Sequence, residues 1–213
     1  MHWRNLATAL LVTWAVASVV SAKEEPHRTG WWVAAAPRVQ WLTGDGYDLL
    51  FGRGVLSGRG YGGELHLGYG FTRRVGARLA VSTAHHTTMS GTGGAAWASV
   101  DILLRQPIGR LDLHVFGRFG KQAVAVDGFT RPGPGNTSQT TTDLTVIGHL
   151  GGGGGGMRYW VTPHISLGSE AAYTYVGVSD TVNNNGTGTL DPLDKTYDGT
   201  TWGVTILAVE YHW

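Results

Sequence analysis

Five carboxylates (Glu64, Asp101, Asp112, Glu170 and Glu210), four guanidiniums (Arg38, Arg78, Arg105 and Arg118) and three imidazoles (His66, His114 and His149) carry the groups of this chain most able to do chemistry. Such groups can pass protons, hold ions or pair with one another, and their spacing decides which. Here they alternate with bulky apolar residues. Glu64 and His66 are interleaved with Leu65 and Leu67, and Asp112 and His114 with Leu113 and Val115. A period of two puts the charges on one face of extended strands and the aliphatics on the other. That pattern predicts a network of charge pairs rather than a catalytic constellation. The chain has no nucleophile-elbow sequence and no Ser-x-x-Lys pair, and its Gly-rich segments lack the Lys-Ser/Thr of a phosphate loop. His85 and His86 and the inward histidines show no close repeated spacing with carboxylates, so neither a metal site nor any cofactor is expected.

Composition narrows the class of protein that could hold such a network. At 213 residues the chain makes one ordinary domain. Lys and Arg number 16 against 15 Asp and Glu, without the clustered positive excess that nucleic-acid binding needs. There are no cysteines, which removes disulfides and thiolate metal sites. Mean hydropathy is close to zero, which argues against a helical membrane protein and allows a barrel whose strands dilute an apolar face with a polar one. Residues 1–22 read as a cleaved export signal: Arg4, an apolar run over 6–20, then Val20-Ser21-Ala22. That run is shorter than the roughly 20 residues a membrane-spanning helix needs. Residues 23–30 follow as a short periplasmic lead, and residues 31–213 form the barrel domain.

Eight segments alternate with period two. The first, 31–41, sets Trp31, Val33, Ala35, Val39 and Trp41 against Arg38 and Gln40, with Pro37 predicting a local irregularity because it removes a ladder donor. The second, 61–71, sets Tyr61, Leu65, Leu67, Tyr69 and Phe71 against Glu64 and His66. The third starts at Val75 and turns Arg78 away from Leu79 and Val81. The fourth, 96–105, holds Asp101 and Arg105, and the fifth, from Leu111 toward Val126, holds Asp112, His114 and Arg118. The sixth, 144–160, includes the glycine run 151–156, read as a Gly-lined strand that leaves room for bulky neighbours. The seventh, 165–178, carries Glu170, and the eighth, 201–213, carries Glu210. Long loops are expected at 43–59, 85–94, 127–142 and 179–199, alternating with short turns.

This order predicts an all-β fold, an eight-stranded antiparallel up-and-down transmembrane β-barrel. The apolar face carries aromatics at both ends, Trp31, Phe71 and Trp213 at one and Trp41, Tyr61 and Tyr175 at the other, as two interfacial girdles require. Eight strands enclose a lumen that side chains can fill, so the inward charges are expected to pair across it. A soluble barrel would reverse the two faces.

The closing segment TWGVTILAVEYHW, with the alternating strands, the signal segment and the long and short connections, resembles the small outer-membrane β-barrel family that includes the OmpA and OmpX barrel domains. The resemblance covers residues 30–213 and is one of pattern; the chain ends in Trp213 where the family more often ends in Phe. It implies the outer membrane of a Gram-negative-type bacterium and contact with outer-membrane lipids and lipopolysaccharide. It further implies recognition of the closing strand, at Leu207, Val209, Tyr211 and Trp213, by the barrel assembly machinery. A monomer is expected, without nucleic acid. The function expected is a non-enzymatic barrel anchoring surface loops for envelope integrity, adhesion or partner binding. Three alternatives stay open: a narrow channel lined by the inward charges, a lipid A-modifying enzyme using His85, His86 and nearby Ser or Asp side chains, and a soluble lipocalin-like binder.

Overall fold

Every described segment outside the lead and the tight turns is a strand. The computed structural model describes residues 25–43, 59–87, 92–132, 139–183 and 198–213; the signal segment lies outside them. The strands are β1 (Gly30–Thr43), β2 (Arg59–Gly70), β3 (Val75–Thr87), β4 (Thr92–Ile108), β5 (Leu111–Pro132), β6 (Gln139–Trp160), β7 (Ile165–Asn183) and β8 (Asp198–His212). Each pairs antiparallel with its chain neighbours, and β8 pairs with β1, so the sheet is a closed barrel. Closure leaves no unpaired edge, the condition for placing a sheet in hydrocarbon.

The register fixes the tilt. Val33 pairs through Leu67, Leu79, Val100, Phe119, Gly151, Tyr175 and Thr200 and returns to β1 at Thr43, a stagger of ten residues for eight strands. Strand number and stagger together set the narrow, side-chain-filled bore of a small barrel.

Two of the three short connections share a device. At 71–74 the Thr72 hydroxyl accepts hydrogen bonds from the amides of Arg74 (3.1 Å) and Val75 (3.0 Å). At 161–164 the Thr162 hydroxyl accepts them from His164 (3.2 Å) and Ile165 (2.9 Å). A threonine that caps its own turn closes both hairpins without a long loop. The third turn is Gly109-Arg110, with Gly109 at φ +61°, a conformation that favours glycine.

Pro37 does what its missing donor requires. The β1–β2 ladder runs through Pro37↔Gly63, whereas the β1–β8 register shifts between Ala35 and Arg38. On β8 the same irregularity leaves Ile206 and Leu207 both facing outward, and the β7–β8 register shifts between Gly168 and Glu170. The glycine run is strand, as expected. A Cβ on Gly154 would stand 2.6 Å from Phe116 Cζ, and one on Gly156 2.9 Å from Glu170 Cγ. Both lie well inside contact distance, so the run makes space for those two side chains.

Three outer connections are shorter than the sequence suggests. β3 and β4 continue to Thr87↔Thr92, β5 and β6 to Pro132↔Gln139, and β7 runs to Asn183, which contracts the second, third and fourth loops to 88–91, 133–138 and 184–197. The ladder's backbone hydrogen bonds carry these polar, Thr-rich stretches beyond the apolar band, where no hydrophobic alternation marks them.

Candidate functional site

The two surfaces of the barrel have opposite chemistry. Outward on every strand are aliphatic and aromatic side chains, among them Leu65, Leu79, Val100, Ile102, Val115 and Phe119, all exposed. Of the expected girdle positions, Trp31, Phe71, Tyr61 and Tyr175 face outward and exposed, and Trp41 faces outward and half-buried. Tyr69 and Tyr211 join the inner ring, with Trp31 and Tyr69 centroids 5.1 Å apart and Tyr211 and Trp213 6.2 Å apart. Tyr173 and Trp202 join the outer one at 4.6 Å, Trp202 in register with Trp41. Leu207, Val209, Tyr211 and Trp213 all face outward.

Inside, the charges form one connected network. Arg118 grips Asp101 with two donors, Nε to Oδ1 at 2.9 Å and Nη2 to Oδ2 at 2.7 Å, and reaches Glu64 at 3.2 Å. Arg38 donates to the other Glu64 oxygen at 2.6 Å. Arg78 donates to Asp101 at 2.8 Å and to both oxygens of Glu170 at 2.6 and 2.7 Å. His66 lies 2.7 Å from Glu64 and His114 2.9 Å from Glu170. The hydroxyls of Ser99 and Thr205 add donors to Asp101 Oδ1 at 2.9 Å and Glu64 Oε2 at 3.0 Å, oxygens that already accept from Arg118 and Arg38. These bidentate, charge-assisted bonds are the geometry that makes a buried ion pair tolerable.

A second tier sits nearer the short turns. Arg158 pairs with Glu210 at 2.5 Å, which also contacts His212 and Ser166, each at 3.2 Å. From the lead, Arg28 enters the lumen and donates to Asp112 at 2.9 Å, with the Trp160 indole N–H on the other Asp112 oxygen at 2.8 Å. Among the described residues the lumen holds six guanidiniums against five carboxylates. Arg105 is the guanidinium with no carboxylate within ion-pair reach; it donates to the Arg28 carbonyl at 3.1 Å.

Aromatic rings fill what the charges leave. Arg118 stacks 4.1 Å over Trp97, and Arg78 4.5 Å over Phe116. Above them, toward the outer end, Trp97, Leu150 and Val176 form an apolar cluster with Ala80. Ions crossing here would have to displace packed rings and paired charges together.

The structure brings together Arg38, Glu64, His66, Arg78, Asp101, His114, Arg118 and Glu170, while Asp112 and Glu210 belong to the lower tier and Arg105 stands beside it. His149 is a correction. It is exposed on the outer face, in register with Lys121, because the inward positions of β6 are the even-numbered ones, Gly148, Leu150 and onward to Arg158 and Trp160. His85 and His86 are also separated: they lie on β3 rather than in a loop, His85 outward and His86 inward, 3.0 Å from Gln40. Sequence reasoning missed Arg28, Arg158 and the inward rings of Trp32, Trp97 and Trp160. The parity of Arg158 and Trp160 was a usable signal, whereas Arg28 precedes β1 and had none.

The polarity of the two surfaces and the closed eight-stranded sheet define a transmembrane β-barrel with the fold of the small outer-membrane barrels. Neisserial surface protein A superposes with a TM-score of 0.59 at 15% identity, over 87% of this chain and 98% of that one. The outer membrane protein OprG from Pseudomonas aeruginosa gives 0.50 at 12% identity, over 88% and 99%. No family model and no curated protein sequence matches the chain.

Proposed function

We propose that this protein is a non-enzymatic integral barrel of the Gram-negative outer membrane, exported through a cleaved signal at 1–22, whose closed cylinder anchors outer loops that bind partners or support the envelope. The observation that carries the reading is the lumen: its charges, Arg105 apart, are paired with one another, and its outer half is packed with Trp97, Leu150 and Val176. A barrel whose lumen is filled by paired charges and packed rings has its outer connections left to act with. The same inside contents weigh against a lumen channel and against a catalytic lumen. A soluble binder would need its apolar face inward.

The closing strand fits recognition by the barrel assembly machinery, since Leu207, Val209, Tyr211 and Trp213 form an exposed outward row. Outer-membrane lipids, lipopolysaccharide among them, are the expected neighbours of the outer girdle, and the barrel is proposed to act as a monomer.

The test replaces segments 44–58, 88–91, 133–138 and 184–197 one at a time with two-residue turns in a deletion strain. The reading expects barrels that still fold, with at least one replacement losing the ability to restore the deletion phenotype. Full restoration by all four would contradict it, as would loss of lipid A modification in the deletion strain.

A further inference from the structure

The lead before β1 belongs to no strand, yet it touches all three short turns. Glu25 pairs with Arg73 of the 71–74 turn at 2.7 Å. The His27 amide donates to the Pro163 carbonyl at 2.9 Å, and the His27 ring lies 4.4 Å from that of His164, both in the 161–164 turn. Arg28 Nη2 donates to the carbonyl of Gly109 in the third turn. Residues 25–29 therefore lie across the short-turn mouth of the bore.

Their hold is uneven. Arg28 alone is buried, while Glu25, His27 and Thr29 are exposed and Pro26 is half-buried. Arg28 donates to Asp112 at 2.9 Å, and its carbonyl accepts from Arg105 Nη1 at 3.1 Å. A Cβ on Gly70 would collide with that carbonyl, so the wall is cut away where the lead crosses it. Exposed ion pairs such as Glu25 with Arg73 contribute little, which leaves one guanidinium to carry the closure. At the junction with β1, Gly30 turns the chain at φ +90°, a conformation that favours glycine and makes a pivot.

Closure also has a cost. Arg105 Nε and Nη2 are enclosed without partners, and buried donors left unmet are unfavourable. Lifting the lead would let water reach Arg105 and Asp112, so hydration offsets part of what is lost with the Arg28 pair. A segment with so few buried contacts opens more readily than the sheet beneath it.

We infer that residues 25–29 are a hinged strap that closes the short-turn mouth and lifts about Gly30 while the barrel stays folded. Lifting bares a polar vestibule lined by Arg105, Asp112 and Trp160. The Arg118–Asp101 network above remains in place, so the open strap makes a pocket and not a pore.

The test exploits the absence of cysteine from the chain. Ser166 is wholly buried in the lower tier, in register with Trp160, and Ser82 is buried at the level of the charge network, in register with Glu64. The full mature chain carrying S166C or S82C is folded in detergent micelles and reacted with a small charged methanethiosulfonate. S166C is expected to react about tenfold faster than S82C, because strap opening bares the lower tier alone. R28Q should raise the S166C rate several-fold further and leave S82C unchanged. G30A keeps every strap side chain but strains the pivot; it should act in the same direction and serves where R28Q does not fold. Equal protection of S166C and S82C would overturn the inference, as would an S166C rate unmoved by R28Q or G30A. A matching rise in S82C would overturn it too, since that marks loosening of the whole barrel.

Discussion

Asp101 shows what single residues do in this barrel. It accepts from Arg78, Arg118 and Ser99 at once and is wholly buried, so neutralising it leaves Arg118 with Glu64 alone at 3.2 Å and takes from Arg78 one of its two carboxylates. D101N is expected to destabilise the folded barrel by about 3–5 kcal/mol, the range for breaking a buried pair from one side, measured by urea unfolding in vesicles. The contrast is Glu25, which pairs with Arg73 at 2.7 Å where both side chains are mostly exposed. E25Q is expected to change stability by about 0–1 kcal/mol in the same assay. Most of the network was legible as residues, because Glu64, Asp101, Arg118 and Glu170 each lie on the face opposite an alternating apolar row such as Leu65 and Leu67 or Val100 and Ile102. Their pairing was not: Arg78 meets Glu170 across the bore, four strands away in chain order, and no local pattern encodes that distance.

Among the elements, β6 states its constraint most directly. Its inward glycines face Phe116 and Glu170, so G154V would force a branched side chain into the Phe116 ring. Overpacking of this kind costs typically 1–3 kcal/mol, and here the Ala171 carbonyl oxygen stands closer still than the ring, so G154V should fall at the upper end or fail to fold. On β4 the two faces can be told apart by the same substitution rule. V100R puts a charge on the outward face, between the two aromatic girdles, and should cost about 2–4 kcal/mol, whereas S99R, on the inward face, would meet the charge network instead. Strand existence and facing were readable from period two, and Pro37 announced its register shift. Strand ends were not readable, because beyond the girdles both faces meet water and the alternation stops, as at 127–132 and 139–143. His149 was turned the wrong way because the glycine run beside it carries no alternation, and parity counted back from Arg158 would have turned it outward.

For the whole molecule, inverted polarity is the property that organises the rest. Apolar surface that would be core in a soluble barrel is exposed here, while arginines and carboxylates that would be surface are inside. Water cannot stabilise that arrangement, since exposed apolar area is costly in it, and lipid can. A filled bore also predicts that the reconstituted protein gives no discrete conductance steps in planar bilayers, with E64Q and R78A the variants most able to open one. The measurement that tests the central claim most directly is the gel mobility of the mature chain, extracted from membranes in detergent, with and without boiling. A closed lipid-embedded barrel is expected to run as a compact species that shifts only on boiling. One mobility under both conditions, together with recovery in buffer without detergent, would contradict the account.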